Sequence, residues 1–281
     1  MAFATYKIHP RNISFEKSDL KRLADFITQK TNETKEAHTH DLNFEGQTAD
    51  QRTDTLRTLD EAYKIAVFVY GAEGEELLVH DASIFDAPEF PEKLTRLTID
   101  TFIPFRNRTN FAPRNGIRVD LDFSSSKILD WQSNLSGPTP NLSEALIQGI
   151  DENWRAAAIA HLQRLFQGRK NYRGFLHAAF TYDTYLWLLF MPLYFYGLII
   201  LEPKIDQFFG PTSAFLKAAI YVYSFFVFVN LYRVFIGYIR WTFQSIELKG
   251  ARSTQQKHRR FLAFLATAII IPIAIALLTG K

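Results

Sequence analysis

The sequence predicts an α+β soluble domain, mostly antiparallel sheet with flanking helices, followed by an α-helical membrane region of three transmembrane helices. Three observations predict it. Apolar runs near 183–201, 215–239 and 261–279 each approach the roughly 20 helical residues that cross a hydrocarbon core. Ahead of them, short stretches alternate apolar and polar residues with the period of strands. At both ends of that leading part, apolar residues recur at spacings of three and four, as on one face of a helix. The expected division is 1–168 for the domain, 169–181 for a basic juxtamembrane segment and 182–281 for the membrane region.

YKIHPRNISF opens as a strand, and Pro10, which has no backbone donor, marks a bend or sheet edge. Ser18 is placed to cap a helix running to about Lys30, with Leu20, Leu23, Phe26 and Ile27 on its inner face. Thr31 to Asp60 is polar, with Leu42 and Phe44 as anchors, and reads as a long loop or a weak edge strand. Ile65 to Tyr70 is apolar on both faces, as in a strand covered on two sides, and ELLVHDASIF is its hairpin partner across the AEGEE turn. Leu94, Leu97, Ile99, Thr101 and Ile103 form a further strand. In GIRVDLDFS, Ile117, Val119, Leu121 and Phe123 point to a core, while Arg118, Asp120, Asp122 and Ser124 point to water. SGPTPN is a loop and ALIQGI a short strand. Asp151 caps a helix from about Glu152 to Gln167, whose inner face is Trp154, Ala158, Leu162, Leu165 and Phe166; Gly168 ends it.

Charge is divided unevenly. Residues 1–160 hold 18 Lys+Arg against 25 Asp+Glu, whereas residues 161–281 hold 14 against 4. An acidic domain argues against nucleic acid as a partner, because phosphate binding needs clustered cations. The chain has no cysteine, which excludes disulfides, thiolate metal sites and a cysteine nucleophile. No apolar stretch opens the chain, so no cleavable signal is expected and the five N-x-S/T sites, beginning at Asn12, Asn32, Asn107, Asn134 and Asn141, read as chance.

Basic residues flank the apolar runs asymmetrically. Arg164, Arg169, Lys170 and Arg173 precede the first, and Arg240, Lys249, Arg252, Lys257, Arg259 and Arg260 lie between the second and third. The connection from Glu202 to Thr212 holds only Lys204. By the positive-inside rule the domain is cytoplasmic and the C-terminus outside, with a bacterial inner membrane as the default. Arg169, Lys170, Arg173, Arg240, Lys257, Arg259 and Arg260 are then candidates for anionic lipid headgroups, at about 1 kcal/mol each near the surface. Tyr182, Tyr185, Trp187, Tyr194 and Tyr196 fit aromatic belts, and Pro192 and Pro272 fit kinks. Asp183, Asn230 and Arg233 are the polar residues in or near the spans; antiparallel helices place Asp183 and Arg233 at similar depth, as a polar gate or as a snorkelling arginine.

Phosphate-loop, dinucleotide, nucleophile-elbow and zinc-protease motifs are absent from the sequence. His38, His40 and Asp41 form a metal-like group if the segment is extended, and a solvated loop otherwise. Asp100, Asp120 and Asp122 are candidates for acid–base or cation chemistry on the strand face, against the simpler account of a solvated polar face. Trp131 and Trp154 flank SGPTPN as a ligand platform or as packing residues. No cofactor is implied. The function expected is a cytosolic recognition or interaction domain coupled to a transmembrane bundle, acting by homo-oligomer or other protein assembly as a membrane effector. The alternatives are a membrane-anchored enzyme using the acidic face and a channel or transporter subunit.

Overall fold

The computed structural model describes residues 4–129, 136–209, 214–250 and 254–265, with 267, 268, 272 and 279 beyond them. The chain forms two compact units. The first comprises Met1–Ser124, Asn141–Tyr172 and Ser245–Ser253; the second comprises Ser125–Pro140, Arg173–Gln244 and Thr254–Lys281. Residues 245–253, expected in the membrane region, thus belong to the first unit, and 136–140 of the SGPTPN loop to the second.

The first unit is a sheet covered by helices. Its strands are β1 (Ala4–Ile8), β2 (Ile13–Phe15), β3 (Ala66–Gly71), β4 (Glu76–Val79), β5 (Leu94–Asp100), β6 (Asn115–Asp122), β7 (Glu144–Gly149) and β8 (Ile246–Leu248). Six of them pair antiparallel in the order β1-β7-β6-β5-β3-β4. The alternation in β6 sets its orientation: Ile117, Val119 and Leu121 are buried together with Val67, Val69, Leu97, Ile99, Ala145 and Ile147. Against this face lie α1 (Lys17–His40), through Leu20, Leu23, Ala24 and Ile27, and α4 (Glu152–Gln167), through Trp154, Ala158, Leu162 and Phe166. Asp151 caps α4 as expected, its carboxylate accepting from the Asn153 and Trp154 amides at 2.8 and 3.1 Å.

The polar stretch from Thr31 to Asp60 is mostly helical, with a loop only at 41–48 and no edge strand. α1 runs on to His40, and α2 (Ala49–Ala62) follows. Threonine is a weak helix former, but here Thr31, Thr34 and Thr39 each donate their hydroxyl to the carbonyl four residues earlier, at 2.7, 2.9 and 2.8 Å. A capping box between Thr48 and Gln51 starts α2. The start of α1 is capped by Glu16 with Asp19, not by Ser18. The strand expected through Ile103 stops at Asp100, because the Asp100 carboxylate accepts from the Phe102 and Ile103 amides and opens α3 (Phe102–Thr109). Gly168 ends α4 in a right-handed conformation, φ −65°, so no left-handed glycine cap is used there.

Strand β2 is bonded along both edges. On one side the Ser14 amide donates to the Arg169 carbonyl (3.1 Å) and the Asn171 amide to the Asn12 carbonyl (2.6 Å). On the other, β2 pairs in parallel with β8, Ile13 opposite Ile246 and Phe15 opposite Leu248. The chain therefore leaves the sheet unit and returns to it on opposite edges of one three-residue strand.

The second unit holds two helices long and apolar enough to cross a membrane, Thr181–Gln207 and Ala214–Thr242. The first comprises α5 (Thr181–Tyr185), a π-helical turn (Leu186–Phe190) and α6 (Met191–Phe209); the second is α7 (Ala214–Thr242). The irregularity expected near Pro192 is this π turn, immediately before the proline whose ring would clash with a carbonyl of the preceding turn. Aromatic rings pack α6 and its π turn on α7: Phe190 lies 4.5 Å from Tyr232, and Tyr194 lies 4.9 Å from Phe228. The Tyr194 hydroxyl donates to the Tyr221 carbonyl at 2.9 Å. Trp187, Leu188, Leu193, Phe195, Ile199 and Phe226 point outward, as lipid-facing side chains do. α8 (Thr254–Leu265) starts beyond α7. Most of 261–279, the expected third span with Pro272, lies outside the described residues.

Candidate functional site

Strands β5 and β6 place Asp100 and Asp120 in a charge ladder with Arg118 and Arg96. Asp100 is 1 % exposed, with Arg118 Nε at 3.7 Å. Asp120 accepts from Arg118 Nε at 2.7 Å, from Thr98 Oγ1 at 2.5 Å and from Arg96 at 3.1 Å. Burial pushes the Asp100 carboxyl above the ordinary carboxylate range. For Asp120, burial acts the same way but is outweighed by the hydrogen bonds from Thr98 and Arg118, and its carboxyl lies below that range. Asp122 sits further along, its oxygens accepting from the Ser124 and Leu142 amides. The register thus brings Asp100 and Asp120 together, as anticipated, but with an arginine between them. Such an arrangement holds strands together more naturally than it holds a cation.

His38 and His40 lie in the last turn of α1, where residues two apart point about 200° from each other. The extended segment that would have aligned them is absent. His38 Nδ1 meets the Tyr63 hydroxyl at 2.8 Å, His40 is exposed, and Asp41 pairs with Arg114. Among the described residues no group of three His, Asp or Glu side chains is placed to hold a metal. Where α2 meets α3, a cavity of about 360 Å³ opens between Glu61, Lys64, His80, Pro104, Asn107 and Arg108. The Glu61–Arg108 pair, 2.8 Å, lines it, so it suits a small polar ligand.

The polar residues of the spans have these surroundings. Asp183 accepts from Ser136 Oγ at 2.8 Å, Asn230 donates to the Phe226 carbonyl of its own helix at 2.8 Å, and Arg233 is half-buried on α7. Trp131 lies outside the described residues, and Trp154 is a core residue of α4.

The basic residues divide more sharply. Arg169 is committed to the sheet unit by its pair with Asp19, 2.6 Å. Lys170 sits opposite Ile13, while Lys257 and Arg260 are exposed on α8. Arg240, expected at the headgroups, is only 4 % exposed. Its described hydrogen bonds go to the carbonyls of Leu176 (3.2 Å) and Gly137 (3.5 Å), not to a carboxylate. Burial here comes from the close approach of residues 125–129 and 136–140 to α7. Gly237 makes that approach possible, since a Cβ there would lie 2.1 Å from the Ile128 carbonyl oxygen.

No family model, curated protein or solved structure matches this chain. A second polar cluster lies at the foot of α7. Beside Arg240 lies His177, 6 % exposed, with Nδ1 at 2.9 Å from Thr139 Oγ1 and its imidazole beside the Phe243 backbone. Among the described residues, Thr242 Oγ1, Ser126 Oγ and Gln255 Oε1 are buried without a hydrogen-bond partner. One residue beyond α7, the Phe243 ring carries two guanidiniums: Arg173 at 4.9 Å and Arg259 at 5.3 Å from its centroid. Arg259 Nε also donates to the Thr242 carbonyl at 2.8 Å. His258 docks α8 on α7 through the Tyr238 hydroxyl, 2.8 Å, and the Trp241 ring. Single basic residues were legible in the sequence; their convergence on Phe243 was not, because Arg173 and Arg259 are far apart in the chain.

Burial pushes the His177 imidazole down to about 4 from 6.5. The unfolded chain therefore takes up this proton at a higher pH than the folded one. The resulting stability, on the order of 3 kcal/mol, is fully present above pH 6.5 and is lost as the pH falls toward 4. In detergent, the denaturation midpoint of the full chain is expected to drop between pH 7.5 and 5, and His177→Asn to remove most of that drop. Equal pH dependence in the variant would refute the assignment.

Proposed function

We propose that this chain is an integral membrane protein whose sheet unit is a cytoplasmic recognition module coupled to a transmembrane helical bundle, and that it works by assembling into an oligomer. The observation that carries the reading is the position of β2, hydrogen-bonded at one edge to residues 169–171 and at the other to 245–249. Both connections to the helical hairpin hang on one strand, so a partner that shifts β2 or its neighbours acts on both helices at once. The same pairing supports placing the two connections on one side of the membrane, in agreement with the basic residues that flank both. A third span over 261–279 would then put the C-terminus outside, in a bacterial inner membrane by default. Assembly follows from helix number, because two or three helices of one chain cannot enclose water with every backbone polar group satisfied. The charge ladder of Asp100, Asp120 and Arg118 favours this reading over an enzyme on the acidic face.

The test uses the full chain, whose lack of cysteine makes single-cysteine labelling clean. Light scattering in detergent is expected to show one discrete oligomer. Lys281→Cys is expected to react with an impermeant maleimide in intact cells, and Glu73→Cys only after permeabilisation. A monomer at micromolar concentration would overturn the assembly, and reversed labelling the orientation.

A further inference from the structure

We propose that the foot of α7 is a binding site for the phosphate of an anionic membrane lipid, with Arg173 and Arg259 as its ligands and Phe243 as the platform that holds them. The first support is convergence. Two guanidiniums, one from the segment before the first span and one from α8, rest on a single ring at 4.9 and 5.3 Å. Like charges repel, and the ring's π face offsets part of that repulsion. Guanidinium forks match the oxygens of a phosphate in bidentate fashion, so the two arginines gathered at Phe243 offer such donors at one place.

The second support is the unpartnered chemistry beside them. Among the described residues, Thr242 Oγ1 is a buried polar atom with no hydrogen-bond partner and can donate to an anion, and the His177 imidazole lies beside the Phe243 backbone. Arg240 adds positive potential beneath them, its hydrogen bonds running to carbonyls.

The third support is position, which selects a lipid over a free anion. Phe243 follows directly on the last residue of the span Ala214–Thr242, and Arg173 stands eight residues before the span Thr181–Gln207. Both are where headgroup phosphates lie when those helices cross a bilayer. Between Arg173 and that span, Phe175 and Phe180 are 47 % and 65 % exposed, apolar surface that glycerol and acyl chains would cover and inorganic phosphate would not. This site stands whether or not the chain assembles.

Native mass spectrometry of the full chain in detergent, with dioleoyl phosphatidylglycerol or dioleoyl phosphatidylcholine added at equal concentration, tests the proposal. Phosphatidylglycerol is expected to be retained at least tenfold better. Arg173→Gln with Arg259→Gln is expected to abolish that preference, whereas Lys257→Gln with Arg260→Gln, which removes the same charge from the exposed side of α8, is expected to leave it within twofold. Should the double variant fail to fold, Arg173→Gln alone is expected to weaken retention at least threefold. Equal retention of phosphatidylcholine, equal loss in the Lys257 and Arg260 variant, or full competition by millimolar inorganic phosphate would overturn it.

Discussion

Phe15→Ala is expected to lower the unfolding free energy of the sheet unit by about 3–5 kcal/mol, the range for deleting a buried phenylalanine. Phe15 is fully buried, and its ring meets Phe123 at 6.4 Å and Phe166 at 6.3 Å, both edge-on. It joins the end of β6, the inner face of α4 and strand β2 in one packing cluster. The cavity left by alanine cannot collapse easily, because β2 is hydrogen-bonded along both edges. Hydrogen exchange in detergent is the direct readout. The Ile13 amide, donating to the Ser245 carbonyl at 2.9 Å, and the Lys249 amide, donating to the Phe15 carbonyl at 2.7 Å, should lose protection together. A loss below about 1 kcal/mol would mean that Phe15 does not organise this corner.

Gly237→Ala is expected to dislodge residues 125–129 from α7. Helix propensity alone favours the substitution by about 1 kcal/mol, so any net destabilisation measures the clash. The added Cβ would stand 2.1 Å from the Ile128 carbonyl oxygen and 3.0 Å from its carbon, both backbone atoms. α7 is not free to retreat, since Arg240 bonds the carbonyls of Leu176 and Gly137, and the Tyr232 hydroxyl donates to the Tyr182 carbonyl at 2.6 Å. Overpacking of this kind costs about 1–3 kcal/mol. Tryptic cleavage after Lys127 is expected to accelerate at least tenfold. Gly197, with nothing within 4 Å of its would-be Cβ, is the control: Gly197→Ala should be neutral or stabilising. Equal behaviour of the two variants would refute the close approach.

Local patterns were legible in the sequence where short-range periodicity decides the structure. β6 alternates because one face is buried, and α4 begins where Asp151 can cap it, so both lie where they were expected. α2 and the second half of α1 were hidden because threonine back-bonding and a capping box carry no apolar stripe. β8 was hidden for a different reason. Three residues, Ile246–Leu248, make a strand only because β2 is there to receive them, across a sequence separation of 233. The aspartate face was half legible: alternation put Asp120 and Asp122 outward, but only the register of β5 on β6 shows Arg118 opposite Asp100. At the foot of α7, composition marks Arg240 as one basic residue among several, and nothing local distinguishes a buried arginine from an exposed one.

The pairing of β2 with β8 also sets an order of synthesis. Strand β2 leaves the ribosome well before its partner, and one of its edges stays open until residue 248 has been made, after both long apolar helices. The sheet unit therefore reaches its final form only once the hairpin exists. A chain halted before that point displays Ile13 and Phe15 beside an unpaired strand edge, the kind of surface that chaperones and proteases recognise. Completion of the sheet is in this sense a receipt for the helices.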